Sequence, residues 1–348
     1  MGEMDVLRSG MIFDCARRYY GVESIKGLID ALSGHEGSFL QLHLTDNQNV
    51  GVECAFLGQT AERAERLPDG SYRNPLTGRR FLTAAQIREL IAYAREKQVE
   101  LIPEIDAPAH MEGFFALAER EYGALYADTI ARSRRDYPGE LNIASEQGLR
   151  LARTLYAEYA DLFAPCRRFH MGCDELFSGS YEEKLAYIQS ISRLLKGRGF
   201  TVLLWNDLLT RRSIRELDRD LQVTYWSWDG DAQDPDVKAA RRAERSSVED
   251  LQEAGFEVLI CNSYYLYFVP SPRTFNRHDN DYTVRDLLEN WTVRKWDGNS
   301  GRTLADTRHI LGSAVGMWSE DSAPLPEAPI LAQFVRQYEA MARVNEGR

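Results

Sequence analysis

Apolar runs of strand length alternate with longer segments in which apolar residues recur at helical spacing, and the alternation continues along most of the chain. Residues 11–15, 39–44, 99–105, 168–171, 201–205, 221–226, 257–261 and 314–318 read as strands. Between and after them the pattern predicts helices over 22–32, 83–98, 145–163, 182–196, 247–254 and 329–344. Thr83 and Ser145 carry N-cap side chains, Gly197, Gly199 and Gly255 stop helices, and Pro329 suits a first turn. A long loop is expected over 45–81, and Pro103 is expected to break the third strand.

Strands separated mostly by helices imply parallel pairing through right-handed crossovers. Eight such units in 348 residues predict an α/β fold, a single (β/α)8 TIM barrel. An open doubly wound sheet is the alternative, but its first strand normally leads into a Gly-rich phosphate turn. Here Asp14-Cys15-Ala16-Arg17-Arg18-Tyr19 follows instead. No internal repeat, low-complexity tract or linker interrupts the pattern, so residues 1–348 are read as one domain.

The active site of such a barrel lies at the C-terminal ends of its strands. Arg17 follows the first predicted strand, His43, Asp46 and Asn47 the second, and Asp106 and His110 the third. Asp174 and Glu175 follow the fourth, and Trp205, Asn206 and Asp207 the fifth. Trp226, Trp228, Asp229 and Asp231 follow the sixth, Asn262, Tyr264, Tyr265 and Tyr267 the seventh, and Trp318, Glu320 and Asp321 the eighth. Any one of these is ordinarily a cap or a satisfied loop residue. Carboxylates, Arg or aromatic rings at all eight ends are hard to explain as packing. Flat rings beside charged groups suit a sugar, which has apolar faces and hydroxyl edges.

The centre of this set is Asp174-Glu175. Where a strand bends into a loop, two adjacent side chains can turn into one cleft. Crowded carboxylates repel, so one holds a proton near neutral pH. A proton donor beside an anion suits glycosidic bond cleavage. A lone Asp-Glu pair is more often a solvated loop feature; the company it keeps here favours chemistry.

Composition narrows the partners. The net charge of −11 argues against a nucleic-acid backbone. No run of about 18 apolar residues is present, so no membrane span is expected. Met1-Gly2-Glu3-Met4-Asp5 lacks the basic and apolar regions of an export signal, which leaves the location open: secreted if a leader has been removed, otherwise cytoplasmic. The five cysteines, Cys15, Cys54, Cys166, Cys173 and Cys261, form no CxxC pair, so neither zinc nor a disulfide framework is expected. An anionic neighbourhood would raise the Cys173 pKa and disfavours a nucleophilic role. With no phosphate loop or metal cluster, no cofactor is expected.

The stretch His170-Met171-Gly172-Cys173-Asp174-Glu175 matches a His-x-Gly-x-Asp-Glu signature. Matching blocks are Cys15-Ala16-Arg17, Leu42-His43-Leu44-Thr45-Asp46, Pro103-Glu104-Ile105-Asp106-Ala107-Pro108-Ala109-His110 and Trp205-Asn206-Asp207. Three more run from Tyr225 to Asp231, from Asn262 to Tyr267 and from Trp318 to Asp321. In this order the chain resembles glycoside hydrolase family 20, the β-N-acetylhexosaminidases, over nearly its whole length. The resemblance implies a retaining hydrolase in which the sugar's own 2-acetamido group is the nucleophile. It implies Glu175 as general acid and base, Asp174 as the acceptor of the acetamide N–H, and Tyr267 as the residue that holds the acetamide oxygen. Arg17 and Glu320 would grip the terminal sugar, and Trp205, Trp226 and Trp318 would wall the acetamide pocket. Asp46, Asp106, His110 and His170 would support the site. Asp231 would attract a partly deacetylated, cationic polymer.

The Tyr-rich block after the seventh strand favours members acting on poly-β-1,6-N-acetylglucosamine of biofilm matrix. Action on β-1,4-chitooligosaccharides or glycoconjugate ends is the alternative, and a non-catalytic carbohydrate-binding barrel is a third reading. Two positions depart from the family's usual pattern. Cys173 stands where Gly is usual, so its backbone is expected to avoid the Gly-only region. Trp228 stands where Tyr is expected and would alter an outer sugar subsite.

Overall fold

The computed structural model describes residues 8–347; the N-terminal expectation concerns residues outside that range. Eight strands form the barrel: β1 (Arg8–Asp14), β2 (Phe39–His43), β3 (Glu100–Ala107), β4 (Arg168–Gly172), β5 (Thr201–Trp205), β6 (Gln222–Tyr225), β7 (Glu257–Ile260) and β8 (Ile310–Met317). Each pairs in parallel with the next, and β1 also pairs with β8, which closes the sheet. This is the predicted TIM barrel, and closure leaves the ring without a free edge. A two-residue strand, Tyr267–Phe268, adds to β8 opposite Gly316 and Met317.

The helices begin and end for local reasons. Thr83 and Gln86 form a reciprocal capping box at the start of Ala84–Glu96. Ser145 caps Glu146–Leu162, and Ser247 with Asp250 caps Val248–Ala254. Gly255 ends the last of these at φ +87°. Val22–Leu32 turns Ile25, Leu28, Ile29 and Leu32 onto the barrel, a spacing of one helical face.

Several expectations are corrected. β3 runs through Pro103; its ladder to β4 begins only at Glu104, so the central strand tolerates a residue without an N–H. β8 starts at Ile310, where Gly312 and Ser313 had hidden the strand signal. The 45–81 loop carries short strand pairs, such as Thr45–Asp46 with Asn49–Val50. Helices Glu112–Tyr122, Pro235–Glu244 and Arg277–Asn290 were not predicted. Pro235–Glu244 buries no residue and Arg277–Asn290 buries only Leu287, so neither carries an apolar stripe. Among the described residues no helix is long and apolar enough to cross a membrane.

Two apolar layers hold the fold. One lies between strands and helices. The other fills the barrel with Ile12, Phe39, Ile102, Leu259 and Ala314 beneath Trp205 and Trp318. Gly10 makes room for the Phe39 ring, whose Cζ would lie 2.3 Å from an added Cβ. Buried polar side chains share this interior: Gln41, His43, Glu104 and His170.

Candidate active site

The strand ends converge on one face through a chain of buried charges. Asp14, at the end of β1, accepts the Ala16 and Arg17 N–H groups at 3.0 Å each and the Ser319 N–H at 2.8 Å. It thereby ties the ends of β1 and β8 together and lies 3.2 Å from Arg17 Nη1. Arg17 Nη2 is 2.7 Å from Asp46 Oδ2, and its guanidinium stands 5.6 Å from the Trp318 ring. Burial would lower the Arg17 pKa, but Asp14, Asp46 and Glu320 more than reverse that and keep it charged. Glu320 itself stands on the exposed rim.

From Asp46 the chain passes inward. His43 Nε2 is 3.0 Å from Asp46 Oδ2, and His43 Nδ1 is 3.2 Å from Glu104 Oε2. Glu104 also accepts from Gln41 Nε2 at 2.8 Å and from Trp205 Nε1 at 2.7 Å. His170 Nδ1 lies 3.5 Å from its other oxygen. Burial opposes charge on His43, yet Glu104, Asp46 and Asp14 raise its pKa well above the ordinary value. Burial also opposes the Glu104 charge, but His43 and His170 hold its pKa low. His170 goes the other way: burial lowers it to about 4, so its ring is neutral.

The second arm leads to the acidic pair. His110 Nδ1 is 3.9 Å from Asp46 Oδ1, and His110 Nε2 is 3.8 Å from Asp174 Oδ2 and 3.3 Å from Glu175 Oε2. Burial alone would lower the His110 pKa; Asp174, Glu175 and Asp46 raise it to about 9, an imidazolium at neutral pH. Asp106 is fully buried behind Asp174. Burial and then the Asp174 charge push its pKa well up. Asp174 is raised as well, by burial first. Asp106 and Asp174 are thus neighbouring buried carboxyls, and burial raises both.

The backbone here is unusual. Gly172 has φ +69°, and an added Cβ would lie 2.1 Å from Asp106 Oδ1, so only glycine fits. Cys173 has φ +80° and Glu175 φ +45°. The expectation that Cys173 avoids the glycine region is therefore wrong. Its N–H donates to the Ala107 carbonyl at 3.1 Å, which holds the turn against a side chain that disfavours it. Burial, then Asp106 and Asp174, push the Cys173 thiol up, in line with an inert thiol. Among the described residues all five cysteines are free.

Opposite the carboxyls stands a box of rings. Trp226 and Tyr267 stack with centroids 6.0 Å apart and planes 8° apart. Tyr267 meets Trp318 at 5.5 Å, and Trp318 meets Trp205 at 6.0 Å. Trp205 is fully buried as the floor of the box, held by Glu104. Trp226 Nε1 donates to Asp207 Oδ2 at 2.6 Å, and Asp207 pairs with Arg245 at 3.0 Å. Burial raises the Asp207 pKa to about 6 against the pull of Arg245.

Thus Arg17, Asp46, Asp106, His110, His170, Asp174, Glu175, Trp205, Trp226, Tyr267 and Trp318 belong to one connected constellation. Asp231 stands apart from these partners, exposed and paired with Arg241 at 2.8 Å. Trp228 is not an open sugar contact. It is buried against Trp296 with centroids 5.3 Å apart, and its Nε1 donates to the Arg245 carbonyl at 3.2 Å. Glu104, Asp14 and Arg245 are not among the strand-end residues read from sequence, and His43 and Asp207 are read there only by position, without a role. A glutamate inside an apolar central strand was the available signal for Glu104.

Two triplets, His43 with Asp46 and Asp106, and Asp106 with His110 and Asp174, have ligand atoms within 4.8 Å of one another. In both, the neighbouring carboxylates raise the imidazole pKa, so a cation there would have to displace the ring proton.

Comparison with known proteins gives a consistent likeness. The model for the glycosyl hydrolase family 20 catalytic domain matches residues 8–324. The chain is 30% identical to the chitooligosaccharidolytic β-N-acetylglucosaminidase of Ostrinia furnacalis, covering 90% of this chain and 53% of that one. It is 26% identical to the protein of that name from Bombyx mori, with the same coverage. The chain thus spans about half the length of these curated relatives. The crystal structure of dispersin B superposes with a TM-score of 0.92 at 35% identity, covering 97% of this chain and 98% of that one.

Proposed function

The chain belongs to glycosyl hydrolase family 20, and from that premise we propose that it is a retaining β-N-acetylglucosaminidase that uses the substrate's 2-acetamido group as nucleophile. One observation carries the reading. Asp174 and Glu175 both turn to His110 at the mouth of the Trp205–Trp226–Tyr267–Trp318 box.

In the first step the acetamide oxygen attacks the anomeric carbon as the glycosidic bond breaks, and Glu175 gives its proton to the leaving oxygen. Asp174, as the carboxylate, accepts the acetamide N–H and stabilises the oxazolinium. Tyr267 donates to the acetamide oxygen. In the second step Glu175 takes a proton from water, which opens the oxazolinium with retained configuration. The box folds the acetamide against the ring, so attack is a positioned intramolecular step. The proton handling at Glu175 is of the kind worth about 10²–10⁴-fold in rate. Arg17 and Glu320 bind the hydroxyls of the terminal sugar. Residues 1–348 act as one catalytic domain, a reading supported by an apolar cluster that runs from Met11 to Ala342.

The substrate we propose is poly-β-1,6-N-acetylglucosamine, a reading that rests on the likeness to dispersin B over nearly the full length of both chains. The names of the insect relatives favour β-1,4-chitooligosaccharides as the second reading. Side-by-side digestion of β-1,6- and β-1,4-linked N-acetylglucosamine oligomers, with products resolved by mass, separates them. Preferential cutting of the β-1,6 series is expected; preferential monomer release from the β-1,4 series moves the assignment to the second reading. Rapid release of glucosamine from a wholly deacetylated oligomer would sink the mechanism, because that substrate lacks the nucleophile.

A further inference from the structure

We propose that Phe177 is the platform of a leaving-group subsite, on which the sugar departing from Glu175 stacks; this rests on the glycosidase reading above. Leu176 and Phe177 follow Glu175 directly, and their side chains diverge. Leu176 is buried, whereas Phe177 is 56% exposed. Leaving a phenyl ring in water forgoes burial free energy. Here the ring is not on a loose segment. The N–H groups of Phe177 and Ser178 donate to the two oxygens of buried Glu140 at 2.8 and 3.0 Å. Lys184 Nζ donates to the Leu176 carbonyl at 3.2 Å. The backbone that presents the ring is therefore clamped from within the protein.

The neighbours connect the ring to the site. The Arg241 guanidinium stands 5.8 Å from the Phe177 centroid. Arg241 donates to the Asp229 carbonyl at 2.5 Å and to Asp231 Oδ1 at 2.8 Å. Gly230, at φ +63°, fills the space beneath. An added Cβ there would lie 2.6 Å from Arg241 Nη1, 3.1 Å from Arg245 Nη1 and 3.6 Å from Asp207 Oδ1. Asp207 in turn holds Trp226. Arg241 thus stands between Phe177 and the Asp229–Asp231 turn, and the missing Gly230 side chain lets that turn approach Arg245 and Asp207, the partner of Trp226.

The chemistry of the leaving side supplies the occupant. Glu175 protonates the departing oxygen from hydrogen-bond reach, so the departing sugar lies near Glu175, two residues from the Phe177 ring. A pyranose offers an apolar C–H face for the phenyl ring and hydroxyls for the Arg241 N–H groups. Asp231 then has a task other than the one expected of it: it fastens Arg241 in place.

The test compares two substrates with the same terminal sugar and different leaving groups, the β-1,6-linked N-acetylglucosamine trisaccharide and N-acetyl-β-glucosaminyl fluoride. Fluoride is a single atom and is too small to stack. With Phe177→Ala, kcat/KM on the trisaccharide is expected to fall about tenfold more than on the fluoride, and Phe177→Trp to recover most of the loss. Equal losses on both, or none on either, overturn the subsite. Calorimetric binding of the trisaccharide to Glu175→Gln protein, with and without Phe177→Ala, reads the platform without turnover. Weaker binding after the second substitution supports it, and unchanged affinity overturns it. Failure of the unmodified protein to turn over either substrate overturns the glycosidase reading itself, and the binding measurement still decides the platform.

Discussion

Changing Glu104 to Gln keeps the side chain's shape and removes the anion at the centre of the barrel. The carboxylate accepts from Trp205 Nε1 at 2.7 Å and Gln41 Nε2 at 2.8 Å, and it lies 3.2 Å from His43 Nδ1 and 3.5 Å from His170 Nδ1, which itself accepts the Gly172 N–H. A glutamine has one oxygen and one NH2, so one of the two positions becomes a donor facing a donor. Turned toward Trp205, the NH2 strands the indole N–H. Turned toward Gln41 and His43, it can be met by a flipped Gln41 amide but not by an imidazolium. His43 keeps Asp46 at 3.0 Å, so the loss should lie near the low end for a broken buried pair, about 3 kcal/mol. That is a large part of the ~5–15 kcal/mol that holds a typical domain. Equilibrium denaturation in urea measures it. A cycle with Trp205→Phe should show coupling of about 1.5–3 kcal/mol, the worth of a hydrogen bond to a charged group. In the fluoride and oligomer assays the same variant should lose kcat/KM, since Trp205 floors the proposed acetamide pocket. A Glu104→Gln protein within about 1 kcal/mol of wild type, or additivity within about 0.5 kcal/mol, would refute the idea of a charged hub.

Strain at Cys173 is separable from packing by comparing two small substitutions. Cys173→Gly should be more stable than Cys173→Ala by roughly 0.5–1 kcal/mol, because φ +80° costs an L-residue more than glycine's extra chain entropy; unfolding midpoints in the reverse order would show that the turn is unstrained. Acid stability should depend on His170. Its folded pKa of about 4 lies below the ordinary 6.5, so its contribution is complete above pH 6.5 and is lost as pH falls from 6.5 toward 4. The amount is on the order of 3 kcal/mol. Denaturation midpoints across that window should fall more steeply in wild type than in His170→Asn, and parallel curves would remove His170 from the account.

Much of the site was readable because barrel topology maps sequence onto space. Residues just past each strand must gather on one face, so Arg17, Asp46, His110, Asp174, Glu175, Tyr267 and Trp318 announced themselves by position. Glu104 did not, because its partners Gln41 and Trp205 are 63 and 101 residues away and a one-dimensional pattern carries no distance. Trp228 looked like a sugar contact for the same reason that Phe177 drew no attention. Position after a strand says which face a residue is on, but not whether its ring points out or in.

The order of strands, the caps at Thr83 and Ser145, and the residue types at the barrel's mouth follow from the sequence alone. They depend on local conformational preference and on the periodicity with which apolar groups leave water. Closure of β1 on β8, the raised pKa of Asp106 and Asp174, the left-handed turn at Cys173 and the exposure of Phe177 depend on the tertiary structure. Each is set by groups distant in the chain that burial forces together, where desolvation and close approach outweigh what any residue prefers by itself.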